Sequence, residues 1–300
     1  MLQRYAWGVL AFNMLVILWG AFVRATGSGA GCGSHWPTCN GDVVPRAESI
    51  ETVIEFTHRL TSGVAFLLVV ALLVAAYRSR PKGHPVRSAA VGSMILMVSE
   101  AAVGAGIVLL QYVADDRSEA RAWWVTVHLV NTFLLVAFLT VAARKSPIDA
   151  PGYRWRPVAW LLVGAALAVL AVATTGAITA LGDTLFPASS LAEGVAEDFS
   201  ASAHFLVRLR IYHPLAAIGL SALITLSGVV VGRRVPSARK LAMVLIGLFL
   251  LQIGCGLLNL LLLVPTWLQM VHLLLADGVW ITLVLLGVEA LTPEPASIHR

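Results

Sequence analysis

Four histidines in this chain lie inside long apolar runs: His58, His128, His213 and His272. An ionisable ring in hydrocarbon is costly and normally faces the interior of a helix bundle. Two imidazoles on facing helices, with no cysteine or aspartate ligand beside them, match axial ligation of a haem iron from both faces. The protein's part in such a site is to supply the axial ligands and a dry pocket. A zinc site would need four close ligands, or three and a water, whereas His58 with His128 and His213 with His272 offer two each. The plainer alternatives are histidines hydrogen-bonded between helices, or a proton relay. Four rings at matched depth in a duplicated frame favour the haem reading. His84, His204 and His299 fall in loops or the tail and are given no role.

The elements that position these rings follow from composition. Of 300 residues, 58% are hydrophobic and 12% charged, with a mean hydropathy of +0.84. A soluble domain carries about 25% charge, so the chain reads as an all-α polytopic membrane protein. The net charge of +5 does not point to nucleic acid, because the basic residues sit in short loops between apolar runs. A hydrocarbon core about 30 Å thick needs about 20 apolar residues per helix, and eight runs qualify: 6–23, 52–77, 88–113, 122–143, 157–180, 207–231, 241–264 and 268–291. In lipid, backbone hydrogen bonding must close within each run, which makes them helices. The first run lacks a convincing small-residue cleavage site and is expected to be retained. The longest outer loops, 25–51 and 181–206, leave no room for a soluble domain.

Arg78, Arg80, Lys82 and Arg87, then Arg144, Lys145, Arg154 and Arg156, then Arg233, Arg234, Arg239 and Lys240 follow the even-numbered spans. The opposite loops are acidic or mixed. The positive-inside rule therefore puts the Lys/Arg loops and both termini in the cytoplasm. Spans two, four, six and eight then run from outside to inside. At about 1.5 Å per residue, their histidines lie roughly 6–9 Å below the outer helix ends.

The eight spans read as one four-helix unit used twice. Gly20-Ala21-Phe22 resembles Gly176-Ala177-Ile178, and His58-Arg59-Leu60 resembles His213-Pro214-Leu215. Glu100 with Gly104 resembles Gln252 with Gly256, and Val127-His128-Leu129 resembles Val271-His272-Leu273. The expected architecture is two parallel-repeat four-helix bundles about an axis along the membrane normal, residues 1–150 and 151–300.

Other side chains could serve these sites. Glu55 precedes His58 by three residues and shares its helix face; a first-turn glutamate favoured by the helix dipole is the alternative. Glu100 lies near mid-span, protonated or paired, and is assigned no chemistry. Cys32 and Cys39 flank a six-residue loop segment facing an oxidising compartment, where a disulfide is favoured. A redox-active dithiol, or a metal site with His35 that lacks a fourth ligand, are the alternatives. Cys255, in span seven, reads as a small apolar residue. Arg24, Arg121, Arg208 and Arg210 sit at outer helix ends, where they would either pair with haem propionates or snorkel to the interface.

The run Gly20-Ala21-Phe22-Val23-Arg24-Ala25-Thr26-Gly27-Ser28-Gly29 leads to Gly31-Cys32-Gly33, Trp36-Pro37-Thr38-Cys39 and Glu55-Phe56-Thr57-His58-Arg59. Together these resemble the haem A synthase family. Thr175-Gly176-Ala177, the segment from Leu181-Gly182-Asp183 to Phe186-Pro187, His213-Pro214 and Val271-His272 are similar to it as well, so the resemblance runs from Ala6 to about Leu291. It implies an oxidoreductase that converts the C8 methyl of haem O into the formyl group of haem A, through a hydroxymethyl intermediate, for haem-copper oxidases. It implies that His58 and His128 bind the substrate haem O, and that His213 and His272 ligate the iron of a haem b cofactor. Glu55 would match the functionally important glutamate, and Cys32 and Cys39 the first-loop cysteine pair. It further implies a bacterial cell membrane location with the haem sites toward the outer face. Implied partners are lipid, a haem O synthase and oxidase assembly factors; the apolar outer faces would suit lipid or a second copy alike.

Two departures stand out. Some members carry a second cysteine pair in the outer loop of the C-terminal half, and 181–206 contains none. Glutamine is the residue expected at Glu100, as in Gln252. Two rival readings remain: a dihaem b-type cytochrome exchanging electrons with quinol, and a two-repeat transporter with histidine proton relays.

Overall fold

The structure, a computed structural model, describes residues 1–144 and 153–292. Lys145, the 150/151 boundary between the two expected units and His299 lie outside the described residues. Ten α-helices follow in order: α1 (Leu2–Ala25), α2 (Ile50–Ser79), α3 (Pro85–Leu109), α4 (Glu119–Ala143), α5 (Val158–Leu185), α6 (Leu191–Asp198), α7 (Phe205–Leu209), α8 (Tyr212–Arg234), α9 (Arg239–Leu261) and α10 (Thr266–Leu291). Among the described residues there is no strand, only an isolated bridge between Cys39 and Asp42. Among the described residues, eight helical segments are long and apolar enough to cross a membrane.

Local chemistry sets several helix starts. The Ser49 hydroxyl accepts the Thr52 N–H to open α2, and Ser118 accepts that of Arg121 to open α4. Each cap satisfies a donor that the first turn would otherwise orphan. The sixth span, expected over 207–231, runs as one membrane-length segment from Phe205 to Arg234, and only its regular hydrogen bonding lapses between α7 and α8, where Arg210 and Ile211 keep helical dihedrals. Pro214 has no N–H to offer the Arg210 carbonyl, which takes a hydrogen bond from Thr179 Oγ1 at 3.3 Å, and a new helix starts at Tyr212. The fifth span runs on to Leu185 rather than ending at 180, and α6 fills much of the remaining outer loop.

The long helices pack as two rings. In the first, α1, α2, α3 and α4 each contact the next and α4 closes on α1; in the second, α5, α8, α9 and α10 do the same. The rings meet where α1 and α4 pack on α5 and α10. Ala6, Val9, Leu10, Phe133, Leu139 and Leu286 are fully buried there. Leu15, Leu67, Ile95, Leu167, Ile218 and Leu250 are exposed on the outside, as a lipid-facing surface requires.

Since lipid tails are as apolar as leucine, close packing and interhelical hydrogen bonds must hold such rings together. Three polar links do so here. At one end Arg24 donates to Ala180 O, Thr184 Oγ1 and Gln269 Oε1 at 2.6, 2.8 and 3.0 Å. Midway the Trp280 indole N–H donates to Phe133 O at 2.6 Å. At the other end Arg144 reaches Glu289 at 2.7 Å and Thr292 at 2.8 Å.

Candidate functional site

Each of the four histidines has the same kind of seat. His58 on α2 lies against Gly20 of α1, His128 on α4 against Gly104 of α3, His213 on α8 against Gly176 of α5, and His272 on α10 against Gly256 of α9. A Cβ at Gly20, Gly176 or Gly256 would stand 2.8, 2.9 or 3.0 Å from the Cε1 of its histidine. Packed interiors have little slack, so a methyl there would force the ring or the helix to shift. At Gly104 the distance is 3.7 Å, an ordinary contact. The sequence shows these glycines as marks of a repeat; their partnership with the rings depends on a neighbouring helix and is not legible from spacing alone.

In the second ring His213 and His272 face one another with centres 6.2 Å apart and planes at 89°. A metal about 2 Å from a nitrogen of each ring, with roughly 1 Å more from nitrogen to ring centre, would hold the centres about 6 Å apart. His213 Nδ1 lies 3.1 Å from Val172 O and 3.4 Å from Thr175 Oγ1. With that nitrogen donating, the lone pair is left on Nε2, the arrangement expected of an orienting partner behind a ligand. The Gln252 amide lies 3.1 Å from His272 Nε2. His58 Nδ1 and His272 Nδ1 are buried without a hydrogen-bond partner, an expensive state unless something other than protein satisfies the ring. Among the described residues no cluster of three or more His, Cys, Asp or Glu could hold a metal ion. His213 and His272 are thus paired imidazoles on facing helices, a donor set that fits a haem iron taken from both faces.

One turn from His58, Glu55 is 3% exposed. Its Oε2 accepts the Cys32 N–H at 2.8 Å, and its Oε1 takes the Arg59 guanidinium at 2.5 Å. Arg59 also donates to His35 O and Thr38 O, and Thr52 Oγ1 donates to Gly31 O at 2.7 Å. Cys32 and Cys39 are joined as a disulfide. The first outer loop is therefore tied at several points to the helix that carries His58. Arg59 is a member of this set that sequence reasoning passed over, although its i, i+4 spacing from Glu55 was the available signal.

The outer arginines are placed differently from one another. Arg24 is taken up by the link between the rings. Arg121 is buried and donates to Ala114 O and Asp116 O. Arg210 is surrounded by Asp183, Glu197 and Asp198 at 3.3, 3.6 and 2.9 Å, pinning α6 over the end of α5. Arg208 is exposed. Cys255 on α9 is a half-buried free thiol.

Residues 3–284 match the family model described as cytochrome oxidase assembly protein. Over 295 residues, 97% of this chain, it is 48% identical to proteins named protoheme IX farnesyltransferase from two strains of Thermus thermophilus. The chain spans about half the length of these relatives, 48%. It is also 43% identical over 96 residues to proteins named heme A synthase from Bacillus cereus and Bacillus anthracis, covering 32% of this chain and 31% of each relative. An all-helical chain with eight apolar spans, matched over nearly its whole length by that model, belongs to the COX15-CtaA family of cytochrome oxidase assembly proteins.

Proposed function

We propose that this chain is a haem A synthase, an oxidoreductase that takes the C8 methyl of haem O to a formyl group through a hydroxymethyl stage. The observation that carries the reading is the repeated glycine-seated histidine, with His213 and His272 spaced as ligands of one metal would be. Family membership and the name of the Bacillus relatives support it. On this reading His58 and His128 hold haem O, while His213 and His272 hold a haem b cofactor in the second four-helix unit. When bound, haem b supplies one-electron redox chemistry. The chain's own residues do the rest. The glycine seats fix the rings, the apolar helix walls exclude water, and the Glu55 carboxylate moves a proton at the methyl carbon or offsets positive charge there. Arg59 and the Cys32 N–H hold that carboxylate in place. Arg208, exposed and five residues before His213, is the propionate contact this reading favours.

The same reading sets the chain across the bacterial cell membrane, with the Lys/Arg loops and both termini cytoplasmic and the histidine pairs toward the outer face. Its partner in substrate supply is a haem O synthase. The Thermus relatives, whose name describes farnesylation of protohaem, contain a segment similar to this chain.

Those relatives also raise a second reading, in which this chain itself transfers the farnesyl group. That chemistry needs carboxylates placed to hold the Mg²⁺ of a prenyl diphosphate. The paired histidines do not supply that donor set. Co-expression with a haem O synthase in a host lacking haem A, followed by haem extraction, separates the readings. Haem A in the extract is the expected result. Haem b and haem O alone would overturn the proposal, and farnesylated haem formed without the added synthase would favour the second reading.

A further inference from the structure

The two rings are alike in their histidines and unlike in what stands behind them. In the first, Glu100 on α3 receives hydrogen bonds on both carboxylate oxygens, from Asn131 Nδ2 and Thr132 Oγ1 of α4. Asn131 is itself fixed, donating to Leu96 O at 2.9 Å and accepting from Ser99 Oγ at 2.6 Å. Thr132 Oγ1 also donates to His128 O at 2.9 Å, so the same hydroxyl ties Glu100 to the helix turn that carries the histidine. His128 Nδ1 lies 3.5 Å from Glu100 Oε1 and has no hydrogen-bond partner of its own.

The second ring lacks this set. At the positions matching Ser99, Glu100, Asn131 and Thr132 stand Leu251, Gln252, Leu275 and Ala276. The carboxylate and its three supporting polar residues have been exchanged together. Had Glu100 been a tolerated surface charge, its donors would have no reason to be confined to the same ring.

We propose that Glu100 is a positioning residue for the first histidine pair: its carboxylate takes the Nδ1–H of His128 and so turns Nε2 toward His58. The inference rests on the haem reading above and deepens it. A carboxyl acceptor behind one ligand makes that imidazole the stronger donor, whereas Gln252 meets His272 on Nε2 and leaves its Nδ1 without a partner. The substrate pair and the cofactor pair would thereby differ electronically while sharing one fold.

The test uses the full chain, purified with haem O added, in wild type, Glu100→Ala, Glu100→Gln and His128→Ala. It reads haem O affinity, the low-spin ferric signal and the midpoint potential of the first-pair haem. Glu100→Ala should weaken haem O binding by about 10–100-fold, the usual cost of losing an orienting partner, while haem at His213 and His272 stays bound. Glu100→Gln, which keeps an acceptor oxygen, should recover the affinity but move the low-spin signal and raise the potential. Wild-type affinity and signal in Glu100→Ala, beside a haem-depleted His128→Ala, would overturn the proposal alone. Loss of both haems together in Glu100→Ala would make Glu100 a general structural residue and also overturn it. Undiminished haem O binding in His128→Ala would instead sink the underlying haem reading.

Discussion

The Glu55 carboxylate accepts the backbone N–H of Cys32 at 2.8 Å, so the disulfide loop is fastened to the same helix turn that presents His58. With Arg59 on its other oxygen, this buried carboxylate is a structural hub as well as the carboxylate nearest the first histidine in sequence. Glu55→Ala would strand a buried N–H and a guanidinium, and hydrogen bonds to charged groups contribute about 1.5–3 kcal/mol. Thermal unfolding in detergent should show a lower midpoint, and limited proteolysis should cut the loop faster. Glu55→Gln should keep most of the stability but lose haem A formation, which separates the two roles.

The glycine seats give a graded prediction. Gly20→Ala, Gly176→Ala and Gly256→Ala each bring a methyl to 3.0 Å or less from a histidine ring, and overpacking of this kind costs about 1–3 kcal/mol. Each should reduce haem content at its own pair. Gly104→Ala, with 3.7 Å available, should retain haem as wild type does. Haem-to-protein ratios across the four variants check the order.

Much of this arrangement was legible in the sequence, and the remainder has physical reasons for being hidden. Span number follows from run length, because a bilayer demands apolar stretches of fixed size. That His213 and His272 face one another was legible from their matched depth in repeated spans. The lapse in helix hydrogen bonding at Arg210 and Ile211 was hidden because the span runs on through it, and the one cue, Pro214, sits where a helix tolerates proline in its first turn. The extension of α5 to Leu185 was hidden similarly, since Gly182 and Asp183 read as loop residues. Arg24 was read as a propionate contact or an interfacial residue, because its acceptors, Ala180, Thr184 and Gln269, lie in the other half of the chain. Asp277, buried on α10 with neither oxygen hydrogen-bonded, went unremarked although a carboxylate inside an apolar run is a signal in itself.

Arg24 should act on the joint between the rings. Arg24→Gln removes donors from Ala180 O and Thr184 Oγ1 while leaving both histidine pairs untouched. The expected result is a lower thermal midpoint with haem content preserved. A drop in haem content at unchanged thermal stability would assign Arg24 to a haem contact instead.

The Cys32–Cys39 disulfide closes a short loop, for which chain-entropy arguments give about 2–3 kcal/mol. Because Glu55, Arg59 and Thr52 also hold the loop, Cys32→Ser with Cys39→Ser should lower stability without unfolding the spans. Thermal scans with and without reductant should converge in the double variant and differ in wild type.

The most direct test of the account is haem stoichiometry by pyridine haemochrome and chromatography in wild type, His58→Ala and His213→Ala, each purified from cells that also make haem O. Wild type should carry haem b together with haem O or its oxidised forms. His58→Ala should lose the farnesylated haem and keep haem b, and His213→Ala should lose haem b and keep the other. Unchanged haem content in both variants would contradict the claim that these histidine pairs each hold an iron.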